Sequence, residues 1–192
     1  MPQNGRDWLT QERSLQAAER ILDAAAELFA ARGVAAAQMG DIAKAAGCSR
    51  ATLYRYFDSR QAVQLAYVHR EARRVGATVA AEIATIGDPG ERAVAGVLAS
   101  LRAVRSDPLL IAWFRPDDAG RTLEMAQTSQ VIEAMGRSLF DSETLAGDRD
   151  SVLLARWLTR IIVSLLTVPG RDEAEERAML ERFLAPLLSR RP

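Results

Sequence analysis

A single cysteine, Cys48, excludes an intrachain disulfide, and a single histidine, His69, leaves no thiolate or imidazole cluster for a structural metal. No apolar run approaches the roughly 20 residues that span a bilayer. No basic stretch followed by an apolar one opens the chain, so a cytoplasmic protein without membrane contact is expected. Alternating apolar and polar segments of useful length are missing, which excludes a sheet and leaves an all-α fold. Also absent are a Ser/His/Asp or Cys/His set, a Gly-rich phosphate loop and paired catalytic carboxylates, so neither an enzyme nor a cofactor is expected. Net charge is lacking as well, because 25 Lys and Arg balance 25 Asp and Glu.

What is present is unevenly placed. Residues 1–43 carry a net −2, residues 44–74 a net +5 and residues 75–192 a net −3. A local basic excess is the footprint phosphate binding needs, although a solvated helix face would look the same. Lys44 is the lone lysine, so the richness in Arg and Ala reads as coding bias. The basic segment overlaps Met39 to Arg60, MGDIAKAAGCSRATLYRYFDSR. Asp41 to Ala46 can form a short helix that Gly47 ends in a left-handed conformation, and Ser49 can cap a second helix from Arg50 to about Phe57. Leu53 and Phe57 share the inward face, Ala51, Thr52 and Arg55 point outward, and Tyr54 and Tyr56 flank them. The outline is a helix-turn-helix.

The first dozen residues read as a loosely held arm, on which Trp8 and Leu9 could dock. From Ser14, Ile21, Leu22, Ala25, Leu28 and Phe29 mark one buried helical face that Gly33 terminates. Ser59 caps a fourth helix from Arg60 to about Ile86. Asp88, Pro89 and Glu91 then supply an N-cap, a first-turn proline and an acid three residues on. Further helices are expected over 91–105, 108–114, 118–140, 151–168 and 173–189, about nine in all. The segment 151–168 has only the polar stripe Arg156, Thr159, Arg160, Ser164 and Thr167, and 173–189 has a similarly broad apolar face. So much apolar circumference calls for burial on two sides, and two such helices from each of two subunits would form a four-helix dimer interface. Its candidate residues are Leu154, Ile161, Leu165, Leu180, Phe183, Leu184 and Leu187. A central helix of a monomer is the alternative.

Over about residues 18–65 the chain resembles the TetR family of bacterial transcriptional regulators. The resemblance rests on Phe29-Ala30-Ala31-Arg32-Gly33, on the run from Asp41-Ile42-Ala43 through Ala46-Gly47-Cys48-Ser49 to Thr52-Leu53-Tyr54-Arg55-Tyr56-Phe57, and on Ser59-Arg60. Three places depart from the family pattern. Ala37-Gln38-Met39-Gly40 stands where Thr-Thr-Val-Arg is common, Ala51 replaces a Gly or Pro, and Arg60 replaces a Lys.

The resemblance implies an N-terminal three-helix DNA-binding domain, residues 1–58 with the arm, followed by a helical ligand-binding and dimerisation domain over 59–192. It implies that Tyr54 and Tyr56 bond phosphates, that Thr52 touches phosphate or base, and that Arg60 sits on the DNA backbone. Base reading would fall to Arg50, Ala51 and Arg55, with phosphate contact open for each. Ser49 caps the reading helix at the interface, and Lys44 is a backbone contact or merely exposed. Cys48 reads as a turn filler rather than a redox switch, and His69 as a surface or interface residue.

For the second half the resemblance implies a ligand cavity. Trp113, Phe114, Met125, Thr128, Ile132, Met135 and Trp157 are candidates for its wall, with ordinary core packing as the alternative for each. Such a lining favours a small apolar or aromatic effector. The expected protein is a homodimeric, ligand-responsive regulator, a repressor by family habit, that binds a palindromic double-stranded DNA operator and releases it when the effector binds. A dimeric helical sensor or adaptor that does not bind DNA is the alternative; an all-α enzyme lacks a catalytic constellation.

Overall fold

A computed structural model of the chain describes residues 4–138 and 148–188, and among them the secondary structure is entirely helical. The elements are α1 (Asn4–Arg32), α2 (Met39–Ala45), α3 (Arg50–Tyr56), α4 (Arg60–Ile83), α5 (Pro89–Arg105), α6 (Pro108–Ile111), a 3-10 turn (Ala112–Phe114), α7 (Ala119–Thr128), α8 (Gln130–Arg137), α9 (Asp148–Thr167), α10 (Glu173–Phe183) and α11 (Ala185–Leu188).

The differences from the expected helices have local causes. No proline or glycine interrupts Arg6 to Arg32, so α1 starts at Asn4 and takes in most of the expected arm. Trp8 and Leu9 fall on this helix, while their side chains lie outside the described residues. The expected helix over 118–140 is two helices, because buried Ser129 ends α7 and caps α8, its Oγ accepting from Ile132 N–H at 3.2 Å. In 173–189, Pro186 has no N–H to return to the preceding turn, and α10 gives way to α11. Residues 139, 140 and 189 of those expected helices lie outside the described residues.

Contacts divide the chain into two compact units that meet between Tyr67 and Val68. The first is built on Ile21, Leu22, Ala25 and Phe29 of α1, which face Ile42 and Ala43 of α2, Leu53 of α3, and Val63 and Tyr67 of α4; all nine are buried. The rings of Phe29 and Tyr67 meet edge to face at 6.1 Å. Gly33 ends α1 at φ 86°, a left-handed conformation that residues with a Cβ avoid.

In the second unit α5 is central, with Ala93, Val94, Val97, Leu98 and Leu101 packed among residues of α4, α9, α10 and α11. Asp88 caps it as expected, accepting from Glu91 N–H at 2.8 Å, and Pro89 opens the first turn. A buried ion pair ties its far end. The guanidinium of Arg105 donates to both oxygens of Glu176 at 2.8 and 2.7 Å and to the Leu165 carbonyl at 3.0 Å, while Glu176 also accepts from Gly170 N–H at 2.9 Å. Only 1% of the Glu176 side chain is exposed. Its charge is sustained because the Arg105 hydrogen bonds hold the carboxyl below its usual range against the opposing effect of burial.

Candidate nucleic-acid interface and effector cavity

The reading unit follows from its caps. Gly47 takes φ 66° and Cys48 N–H donates to the Ala43 carbonyl at 2.9 Å, which closes α2 and turns the chain. Ser49 Oγ then accepts from Thr52 N–H at 3.0 Å and lies 2.9 Å from the Thr52 hydroxyl, starting α3 as the sequence suggests. Leu53 is fully buried, whereas Phe57 is half-buried and extended, so α3 stops at Tyr56. That anchoring leaves Ser49, Arg50, Ala51, Tyr54 and Arg55 exposed on one side, with Lys44 exposed on α2 and Thr52 and Tyr56 partly covered. Two short helices joined by a tight turn, with a polar, aromatic and basic outer face, can enter a DNA groove.

Arg55 is held against its neighbour. Its guanidinium lies 5.3 Å from the Tyr56 ring centre and 3.5 Å from the phenol oxygen. Hydrogen bonding from Arg55, with a further contribution from Ser14, holds the Tyr56 hydroxyl below the ordinary phenol range. Arg60 donates to the Ala35 carbonyl at 2.6 Å, pinning the link between α1 and α2 from the start of α4. Gln64, a polar residue on the buried face of α4, does the same at the Val34 carbonyl at 3.0 Å. Its place between Val63 and Tyr67 on an otherwise apolar face was the available sequence signal for a structural hydrogen bond.

Part of the basic excess of residues 44–74 is paired across the segment boundary. Arg70 and Arg74 both pair with Glu71, at 2.9 and 2.7 Å, and Arg74 also reaches Asp107 at 2.5 Å. Lys44, Arg50 and Arg55 are the exposed cations of α2 and α3. At the entrance to α2, Gln38 is in the N-cap position with no side-chain cap hydrogen bond, so the departure from a threonine there leaves that end uncapped. Cys48 is half-buried in the turn. His69 is half-buried on α4, where burial and then the charge of Arg73 lower its pKa. The described residues contain no cluster of His, Cys, Asp or Glu able to hold a metal ion, and none of their helices is long and apolar enough to cross a membrane.

In the second unit a cavity of about 270 Å³ lies among α4, α5, α8 and α9. Val79, Ile83, Ile132, Met135, Leu158 and Ile162 give it an aliphatic wall with no aromatic ring, and Arg92 is its charged member. Of the residues expected to line a cavity, Ile132 and Met135 line this one. Trp113 is buried, Phe114 packs against the core, Met125 is half-buried, Thr128 is exposed, and Trp157 is 38% exposed. Met135 reaches this position because Gly76 has no Cβ, which would stand 2.8 Å from the thioether methyl.

The expected dimer residues also divide. Leu180 and Leu184 are buried within the chain's own core, 4% and 0% exposed, because positions four apart on this segment face α5. Leu154, Ile161 and Leu165 are half-buried against the same core. Phe183 and Leu187 are 68% and 59% exposed and align with exposed Met179, while Leu153 and Trp157 are exposed on α9 and Val168 just after it. Sequence reading took the whole broad face as one surface; the register of the core contacts separates it into two.

The comparisons agree with this architecture. The family model for bacterial regulatory proteins of the tetR family matches residues 21–67. An uncharacterized HTH-type transcriptional regulator of Mycobacterium tuberculosis is 49% identical over 191 residues, spanning 96% of this chain and 92% of that protein. The HTH-type transcriptional repressor KstR of Rhodococcus jostii is 28% identical over 98% of this chain and 92% of that one. Among solved structures, the TetR family repressor AlkX from Dietzia sp. strain DQ12-45-1b, implicated in biodegradation of n-alkanes, superposes with a TM-score of 0.61 at 28% identity, covering 88% of this chain and 93% of that one. These relatives are regulators of transcription and not enzymes, and the chain described here belongs to the TetR family of bacterial transcriptional regulators.

Proposed function

We propose that this regulator is a ligand-responsive repressor that binds a palindromic operator as a homodimer. The exposed outer face of α3, with Ala51, Tyr54 and Arg55 presented by a helix anchored through Leu53, carries the reading. Two-fold symmetry would place one α3 in each of two major grooves about one helical turn, or a multiple of it, apart. Arg55 and Ala51 supply base contacts, and Tyr54, Tyr56 and Lys44 supply phosphate contacts. The 1–58 and 59–192 division assigns DNA reading to the first part and effector binding with dimerisation to the second. The dimer forms through the exposed rows Leu153 and Trp157 of α9 with Val168 just beyond it, and Met179, Phe183 and Leu187 of α10 and α11.

The aliphatic cavity supports a small apolar effector, since its volume lies just below the roughly 300–1,000 Å³ of typical ligand sites. α4 carries Gly76, Val79, Ala80 and Ile83 in the cavity wall and begins at Arg60 beside the reading unit, so it is the element through which the effector acts. The effector releases DNA only to the extent that it binds the non-operator state more tightly.

The test is a gel shift on a duplex selected from a random-sequence library by the unaltered protein. Arg55→Ala and Tyr54→Phe are expected to weaken binding by about 1–3 kcal/mol each without unfolding the protein. Binding that is unchanged by both substitutions and insensitive to salt would overturn the reading.

A further inference from the structure

The start of α2 departs from the family pattern twice, with Gln38 providing no side-chain cap and a glycine at position 40. The glycine is occupied. A Cβ built on Gly40 would stand 2.8 Å from Nη2, 3.1 Å from Nε and 3.2 Å from Cζ of Arg50. The guanidinium of the first residue of α3 therefore lies folded back across the first turn of α2, in the space a Cβ would take. Gly40 has no positive φ, so its backbone conformation does not require glycine; a Cβ there would instead displace the flexible, exposed end of Arg50 from the place it now takes.

We propose that Gly40 is a positioning residue that holds Arg50 over α2 and so makes Arg50 a DNA-backbone contact and not a base reader. This rests on the reading of α3 as the groove-entering helix. In a helix-turn-helix the second helix enters the major groove while the first crosses the sugar-phosphate backbone. Residues that project from the outer face of α3, Ala51 and Arg55 among them, meet base edges. An arginine laid over α2 leaves that face and meets a phosphate, to which a guanidinium donates well. Resting against Gly40 also restricts the rotamers of a long exposed side chain before DNA arrives, which reduces the ordering cost on binding.

Four variants test this on a duplex selected by the unaltered protein: Arg50→Ala, Arg50→Lys, Gly40→Ala, and Gly40→Ala combined with Arg50→Ala. Affinity is measured across a salt series and against every single-base change in the duplex, with thermal unfolding in parallel. Arg50→Ala is expected to weaken binding about 5- to 150-fold, equally across the sequence variants, and to lower the salt slope by about 1 per subunit. Arg50→Lys keeps the charge and restores most of the slope. Gly40→Ala should weaken binding in the same uniform manner while unfolding at the same or a higher temperature, since alanine is the better helix former. In the Arg50→Ala background it should change affinity less than twofold.

A loss of discrimination at one base pair in Arg50→Ala would make Arg50 a base reader and overturn the proposal. So would a Gly40→Ala variant that binds like the parent while Arg50→Ala does not. If Arg50→Ala and Arg55→Ala both bind like the parent, the failure lies in the reading of α3 itself and takes this proposal with it.

Discussion

Replacing Glu176 with glutamine keeps the shape of the side chain and removes the charge on which three donors converge. In the native arrangement one oxygen accepts from Arg105 Nη2 and Gly170 N–H, and the other from Arg105 Nη1. Glutamine can present its single carbonyl to the first pair, and its NH2 group then faces Nη1, donor against donor. Breaking a fully buried ion pair costs about 3–5 kcal/mol. Arg105 remains 30% exposed and keeps the Leu165 carbonyl, so about 2–3 kcal/mol is expected here. In a chain of this size that corresponds to a fall in Tm of about 4–12 °C. The assay is urea unfolding at one fixed protein concentration, because association shifts apparent stability. The pH dependence has a definite sign. The folded carboxyl titrates below the 4.5 of the free side chain, so its contribution is complete above that value and is lost as pH falls through the lower folded one. The gap between parent and variant should therefore narrow only below about pH 4.5. A gap under about 0.5 kcal/mol at neutral pH, or one that stays constant under acid, would refute the reasoning.

The two sides of the C-terminal helices give a paired expectation. Phe183→Glu, at an exposed position, should convert dimer to monomer in sedimentation with little loss of helix, whereas Leu184→Ala should lower unfolding free energy by about 2–5 kcal/mol. The result that would sink this assignment is a Phe183→Glu protein that stays dimeric. In the reading unit, Gly47→Ala places a Cβ in open space but in a left-handed conformation, so it should cost about 1–2 kcal/mol through the backbone alone. A neutral result in thermal unfolding would show that the turn relaxes.

The helix-turn-helix was legible because its signals are local. Gly33, Gly47 and Ser49 are read one residue at a time, and each takes the expected conformation or cap. The cap at Asp88 was readable in the same way, accepting from the turn that follows Pro89. What failed to show was anything set by register between distant segments. Trp157 has the composition of a cavity wall, yet its turn of α9 faces outward. The cavity wall draws on Gly76 and Gly136, whose small size matters only once Met135 of α8 meets α4 and Ala155 of α9 meets α8. Charge counting was similarly blind to pairing across a segment boundary, since it credits Arg74 to the basic segment although Asp107 also holds it.

Phe183 and Leu184 are adjacent in the chain and answer to different constraints. Leu184 is enclosed by its own subunit, so nearly any change there is paid for in folding, whereas Phe183 meets solvent in the isolated chain. The outward row at Met179, Phe183 and Leu187 can therefore diverge between duplicated copies of such a gene while the inward row at Leu180, Leu184 and Leu188 stays fixed. On the dimer surface proposed above, changes confined to the outward row would stop two sister proteins from pairing without either losing its fold.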